Sequence, residues 1–334
     1  MNILLTCAGR RSYLVDYFKE ALGDNGLVHT ANSISDAPAM LVSDRQFVTA
    51  SIYSKDYVES IISYCKTNDI QMVVSLLDLE LTILAAEKDR FTDNNIFLAI
   101  SDYEVCQTCN DKWETQEFLI QNGFNTVKMF LNPEEAIENV KQGEAKFPFF
   151  IKPRWGMGSI GVYQADDEEE LKVLFKKVRK QLKSTYLNEG SKAFKDKDVI
   201  IQETLAGQEY GMDVFNDFEG HYIRTFVKKK IAMRSGETDA AISCDNESLE
   251  DLGQLISQKL KHLGNLDVDV FFDGKQAYIL ELNPRFGGGY PFTHLAGGNI
   301  VKAYVDLYNG KNFSFDFVSD IKGIKTIHIS NLGK

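Results

Sequence analysis

The sequence predicts a protein of mixed α/β and α+β class, with an N-terminal doubly wound parallel domain followed by α+β segments. Three observations carry this reading. Strands and helices alternate as β-α-β through residue 76, which implies a parallel sheet covered on both faces. A strand, a glycine-rich loop and a second strand occupy Phe147 to Ala165. A strand-rich closing part ends in two strands that flank a turn, from Leu266 to Arg285.

Ile3-Leu4-Leu5-Thr6 reads as a buried first strand and Ala8 to Ser12 as the turn after it. Tyr13 to Leu22 has helical periodicity and stops near Gly23. Strands around Val28–Ala31 and Phe47–Val48, a helix from Asp56 to Asn68 and the apolar strand Met72–Leu76 complete the alternation. In such sheets ligands sit beyond the carboxyl ends of the strands, where Arg10, Arg11 and Asp78 fall. After Ile96–Ile100 a helix is expected from about Trp113 to Gln121, closed by Gly123. A helix over Glu168 to Leu182 precedes a polar linker, Ser184 to Asp198, and then the strand Val199–Gln202. Another helix starts near Ser248.

The 334 residues are 44% hydrophobic and 25% charged, enough for a large core and two or three domains. A net charge of -11 argues against a general nucleic-acid or anionic-membrane binder. The longest basic run, Lys228-Lys229-Lys230, lies in a strand-like segment and reads first as a solvated face. Five cysteines in so long a chain do not make a disulfide framework. Cys106 and Cys109 have knuckle spacing but no second pair, and read as two thiols on one helix or turn. The first residues lack a basic segment and a long apolar core, and no stretch has membrane-span length. The expected location is the reducing cytoplasm. A homodimer, the commonest soluble oligomer, is the expectation if the chain self-associates.

Three constellations carry chemistry. Gly156, Gly158 and Gly161 fit G-x-G-x-x-G, but Val162-Tyr163 continues as strand rather than helix, so the dinucleotide reading fails. A glycine loop between strands can instead close its N–H groups over phosphates, with Lys152 as a cation beside it. Second, the strand ending at Glu203 turns through Thr204 and Leu205 to a second acid, Glu209. Such a hinge can offer backbone groups to an adenine edge and a carboxylate to ribose.

Third, a turn centred on Lys275 places Asp269 opposite Glu281, with Asn283 on the same face. Opposed carboxylates among apolar neighbours call for a hard cation with oxygen ligands. Arg285 beside them can clamp a phosphoryl group or a carboxylate.

These residues resemble the ATP-grasp superfamily, and within it the synthetase units of carbamoyl-phosphate synthase large chains and related single-unit ligases. The resemblance spans nearly the whole chain and rests on the order Asp111-Lys112, Ile151-Lys152-Pro153 with its flap, Glu203 to Glu209, Asp269, and Glu281-Leu282-Asn283-Pro284-Arg285. It implies an N-terminal domain over residues 1–105, a small lobe with the flap over 106–198 and a lobe with the metal site over 199–334. It implies Lys112 and Lys152 as phosphate lysines, and Gly156, Gly158, Ser159 and Gly161 as the flap. Glu203, Thr204 and Leu205 would form the adenine hinge and Glu209 the ribose contact. Asp269, Glu281 and Asn283 would hold Mg²⁺ or Mn²⁺, Asp269 replacing the glutamine common in the carbamoyl-phosphate enzymes. Arg285 would be the clamp, Lys230 and Arg234 would lie near the acyl phosphate, and Gly287 to His294, including Gly288 and Gly289, would hold the acyl substrate.

The implied activity is an ATP-dependent ligase that activates a carboxylate as an acyl phosphate for attack by an amine. The alternatives are a bicarbonate- or carbamate-phosphorylating enzyme and a non-catalytic nucleotide-binding protein.

Overall fold

The computed structural model describes residues 1–156, 160–185, 187–188, 196–234 and 236–326. The first sheet alternates with helices as expected: β1 (Asn2–Thr6), α1 (Ser12–Leu22), β2 (Val28–Asn32), α2 (Pro38–Val42), β3 (Arg45–Val48), α3 (Tyr57–Thr67), β4 (Ile70–Ser75), α4 (Asp78–Ala85), α5 (Lys88–Asp93) and β5 (Phe97–Leu98). Its order is β3-β2-β1-β4-β5, all parallel. The period-2 alternation of β1 explains why it is buried on both sides. Ile3 and Leu5 join one core with α1, while Leu4 joins the opposite core with α3.

Two helices follow, α6 (Tyr103–Asn110) and α7 (Lys112–Gln121). Cys106 and Cys109 are both buried on α6. Next come β6 (Met129–Phe130), α8 (Pro133–Lys141), β7 (Phe149–Pro153), β8 (Tyr163–Ala165), α9 (Glu168–Leu182) and β9 (Val199–Glu203). These strands form a four-stranded antiparallel sheet, β6-β9-β7-β8. Helix α9 runs over the span its periodicity predicts, because Leu171, Phe175, Val178 and Leu182 form one apolar stripe and Asp167 caps Glu170 N. The strand Val199–Glu203 was expected to open the last segment. It pairs with β7 and β6 instead, so this sheet ends after Glu203, not at residue 198. Periodicity within a strand does not reveal which neighbour it will find.

The closing part holds β10 (Gln208–Asn216), β11 (Tyr222–Arg234), β12 (Glu237–Cys244), α10 (Glu247–Leu260), β13 (Asn265–Phe272), β14 (Ala277–Asn283), α11 (Tyr290–Leu295), α12 (Ile300–Tyr308) and β15 (Lys322–Ile324). A six-stranded antiparallel sheet runs β14-β13-β10-β11-β12-β15. One face buries Met212, Val214, Val268 and Leu282 against α10 and α7. Phe215, Phe226, Phe286 and Tyr304 share a core with β1 and α1, so the first sheet and the closing lobe are joined by apolar contact. Among the described residues no helix is long and apolar enough to cross a membrane.

Candidate active site

A cavity of about 350 Å³ lies between the four-stranded and six-stranded sheets. The small sheet contributes Phe150 and Lys152 from β7 and Gln202 and Glu203 from β9. Their strand neighbours Phe149, Ile151 and Ile201 point the other way, into the core under α9. The large sheet contributes Glu209, Asp269, Phe271, Leu280 and Glu281, and the chain between β9 and β10 contributes Thr204 and Leu205. Nine sequence-predicted residues thus meet at one cleft: Lys112, Lys152, Gly156, Glu203, Thr204, Leu205, Glu209, Asp269 and Glu281.

Local structure explains their aim. Asp111 caps α7 by accepting from Trp113 N at 2.9 Å. Arg154, at the end of β7, locks that cap through Asp111 Oδ1 at 2.6 Å. Lys112, the first residue of α7, is thereby turned into the cleft. Gly156 sits at φ 117° and Gly161 at φ 71°, where a side chain would be strained. Gly161 packs on Pro153 rather than lining the cleft. The predicted flap positions Gly158 and Ser159 lie outside the described residues.

Charge in the cleft is arranged in ion pairs. Lys112 Nζ lies 3.0 Å from Glu281 Oε1 and donates to Gly156 O at 2.9 Å. Lys230 Nζ bridges Glu209 at 2.6 Å and Asp269 at 2.5 Å. Burial pushes Asp269 up to about 6 although Lys230 opposes the shift. Burial alone would raise Glu281 too, but the Lys112 and Lys152 ammonium groups hold it down at about 2. Burial, reinforced by Lys112, lowers Lys152 to about 8. Burial would lower Lys230 as well, but its two carboxylates raise it.

Asp269 and Glu281 stand directly opposite across β13 and β14. Opposed acceptor-only oxygens fit a hard divalent cation. Asn283 lies two residues on, buried and opposite Asp267, and is not among the side chains that line the cleft. Among the described residues no group of three His, Cys, Asp or Glu side chains gathers as a ligand set. The cleft thus offers the opposed pair Asp269 and Glu281, and Asn283 follows two residues further along the strand.

Several expectations need correction. Lys228-Lys229-Lys230 is not a solvated face: Lys228 and Lys230 are buried, because alternate residues of β11 face inward. Lys228 Nζ pairs with Asp213 at 2.5 Å. Arg234 faces outward, paired with Asp239 at 2.8 Å, while Met233 before it lines the cleft. Arg285 is buried and held by Asp78 at 3.0 Å and Asp267 at 2.9 Å, so it ties the first domain to the large sheet. Asp78, expected beyond the strand ends where a ligand could sit, is buried as the partner of Arg285. Arg10 is exposed, paired with Glu237 at 3.3 Å. His294 stacks on Tyr17 with ring centroids 3.6 Å apart, and burial lowers its pKa. Gly289 lies against the Lys228 stem, and Gly288 near Glu237.

Sequence reading missed the apolar walls Phe150, Trp155, Ile160 and Phe271, and it missed Gln202. For Phe150 and Gln202 the signal was available, since each shares a strand face with a predicted site residue or pairs beside one.

Lys112 and Lys152 thus meet Asp269 and Glu281 in one cleft between two sheets. The chain carries an ATP-grasp domain, matched over residues 145–293, behind a PylC-like N-terminal domain, matched over residues 3–99. The arginine-specific large chain of carbamoyl phosphate synthase from Bacillus subtilis is 21% identical over 262 residues, covering 75% of this chain and 24% of that one. The chain spans about a quarter of the length of the curated relatives it matches. N5-carboxyaminoimidazole synthetase from Staphylococcus aureus complexed with ADP superposes with a TM-score of 0.70 at 14% identity, over 94% of this chain and 78% of that one. L-amino acid ligase from Bacillus licheniformis superposes with a TM-score of 0.65 at 18% identity, over 91% and 73%. These superpositions are likenesses of fold.

Proposed function

We propose that the protein is an ATP-dependent carboxylate-amine ligase. The observation that carries this reading is the single cleft in which Lys112 and Lys152 face the opposed pair Asp269 and Glu281, with Glu203 to Leu205 at its edge. The hinge holds the base, Glu209 the ribose, and Lys112 and Lys152 the phosphates. Asp269 and Glu281, with Asn283 two residues further along β14, would hold Mg²⁺ or Mn²⁺, which would neutralise phosphate charge there. A substrate carboxylate oxygen attacks the γ-phosphorus, the bond to the bridging oxygen breaks, and ADP leaves. An amine nitrogen then attacks the acyl carbon, loses a proton and expels phosphate. The lysines stabilise spread charge without a side-chain nucleophile, and the glycine flap keeps water from the acyl phosphate. Arg285 is a positioning residue, because its guanidinium is already committed to Asp78 and Asp267.

The test is nucleotide turnover against pools of carboxylates and amines. ADP release that requires one member of each pool supports the ligase. AMP release, or ADP release with no added amine, contradicts it.

A further inference from the structure

Gln202 is 3% exposed, lines the cleft, and has an Nε2 with no hydrogen-bond partner among the described residues. A buried N–H donor without an acceptor is a standing cost to the fold unless a ligand supplies one. Strand pairing sets Gln202 between two apolar residues, Phe150 on β7 and Met129 on β6. Gln202 also immediately precedes the hinge Glu203 to Leu205. Lys152 lies two residues beyond Phe150 and faces the same cleft. With the base at the hinge and the phosphates at Lys152 and Lys112, as proposed above, Gln202 would lie beside the base.

We propose that Gln202 reads the N6/N7 edge of adenine and is a specificity-determining residue of the site. Nε2 donates to N7 and Oε1 accepts from the N6 amine, the bidentate match between a carboxamide and adenine. Guanine presents two acceptors, O6 and N7, on that edge. One carboxamide then faces an acceptor with its own oxygen. This inference rests on the nucleotide reading above and adds the side chain that selects the base.

The experiment is calorimetric titration of the full chain, with Mg²⁺, by ADP, GDP and 7-deaza-ADP, in which N7 is replaced by C–H. The wild type is expected to bind 7-deaza-ADP and GDP each roughly tenfold or more weakly than ADP, the effect of one unmade buried hydrogen bond. Gln202→Leu, close in volume, is expected to bind ADP about tenfold more weakly and to lose the distinction between ADP and 7-deaza-ADP. Equal wild-type affinity for ADP and 7-deaza-ADP overturns the proposal and leaves the nucleotide reading standing. Discrimination that persists in a folded Gln202→Leu also overturns it. If the variant does not fold, the wild-type comparison of ADP with 7-deaza-ADP decides alone. A wild type that binds none of the three overturns the nucleotide reading itself, and this one with it.

Discussion

Lys152 and Lys230 show one side-chain type driven in opposite directions within a single cleft. Burial and Lys112 lower Lys152 to about 8, while Lys230, between two carboxylates, is raised. The unfolded chain binds more protons than the folded one between Lys152's folded value of about 8 and its ordinary 10.5, so stability rises with pH across that window. The cost of the buried ammonium is in full force below pH 8. Lys152→Met should therefore raise stability at pH 7 by about 3 kcal/mol, and the gain should fade toward pH 10. Thermal melts across that range check the sign. ADP affinity of the same variant should fall, since a phosphate partner is lost. Glu281→Gln tests the other side of the cleft. It removes one negative charge from the opposed pair and leaves Lys112 without its carboxylate, so the enhancement of ADP binding by Mg²⁺ should largely disappear and the melting temperature should fall. Undiminished enhancement in a calorimetric titration would sink the metal role. At this scale the sequence announced the acids and lysines at strand ends, where their spacing is informative. It hid Lys228 and Lys230, because a basic run looks solvated until the acids it meets, Asp213, Glu209 and Asp269, are placed by sheet pairing.

At the scale of the element, the β13–β14 hairpin reaches its predicted geometry by an unpredicted route. The pairs Phe272↔Ala277 and Val270↔Ile279 centre the turn between Gly274 and Lys275, half a residue before the expected Lys275. An extra residue in β14, Leu280, then shifts the register and restores Asp269 opposite Glu281. The bulge also lets the consecutive residues Leu280 and Glu281 both line the cleft, which strict alternation forbids. No sequence pattern marks it, since Leu280 is an ordinary strand residue. The glycines after the hairpin are legible in a different way. A Cβ on Gly287 would lie 2.1 Å from the Asp267 carboxyl carbon, so Gly287→Ala must push Asp267 away from Arg285. We expect a loss of roughly 1–3 kcal/mol in urea unfolding, together with weaker protection of β13 amides in hydrogen exchange. An unchanged denaturation midpoint would show that Asp267 relaxes freely.

For the whole molecule, the element pattern reads as separable domains, and four of the five strands of the parallel N-terminal sheet were legible, the two-residue β5 being too short to show a period. What the pattern could not reveal is where its second face is buried. Leu14, Val15 and Phe18 of α1 share one core with Phe286 and Tyr290 and with Ile300, Val301 and Tyr304 of α12. Asp78 and Arg285 add a buried ion pair between the same two regions, 207 residues apart in sequence. A fragment of residues 1–105 would expose that apolar face to water, at a cost of about 25 cal/mol for each Å² uncovered. Breaking Asp78 from Arg285 by Asp78→Ala would leave a buried charge short of a partner, expected to cost about 3–5 kcal/mol. The intact chain should therefore unfold in one calorimetric transition, with the calorimetric and van't Hoff enthalpies in agreement. Asp78→Ala should lower that transition or split off an earlier one for the first domain. The isolated 1–105 fragment should aggregate or show no cooperative melt. Two independent transitions in the wild type, with the fragment reproducing the first, would mean that the shared core contributes little to either part.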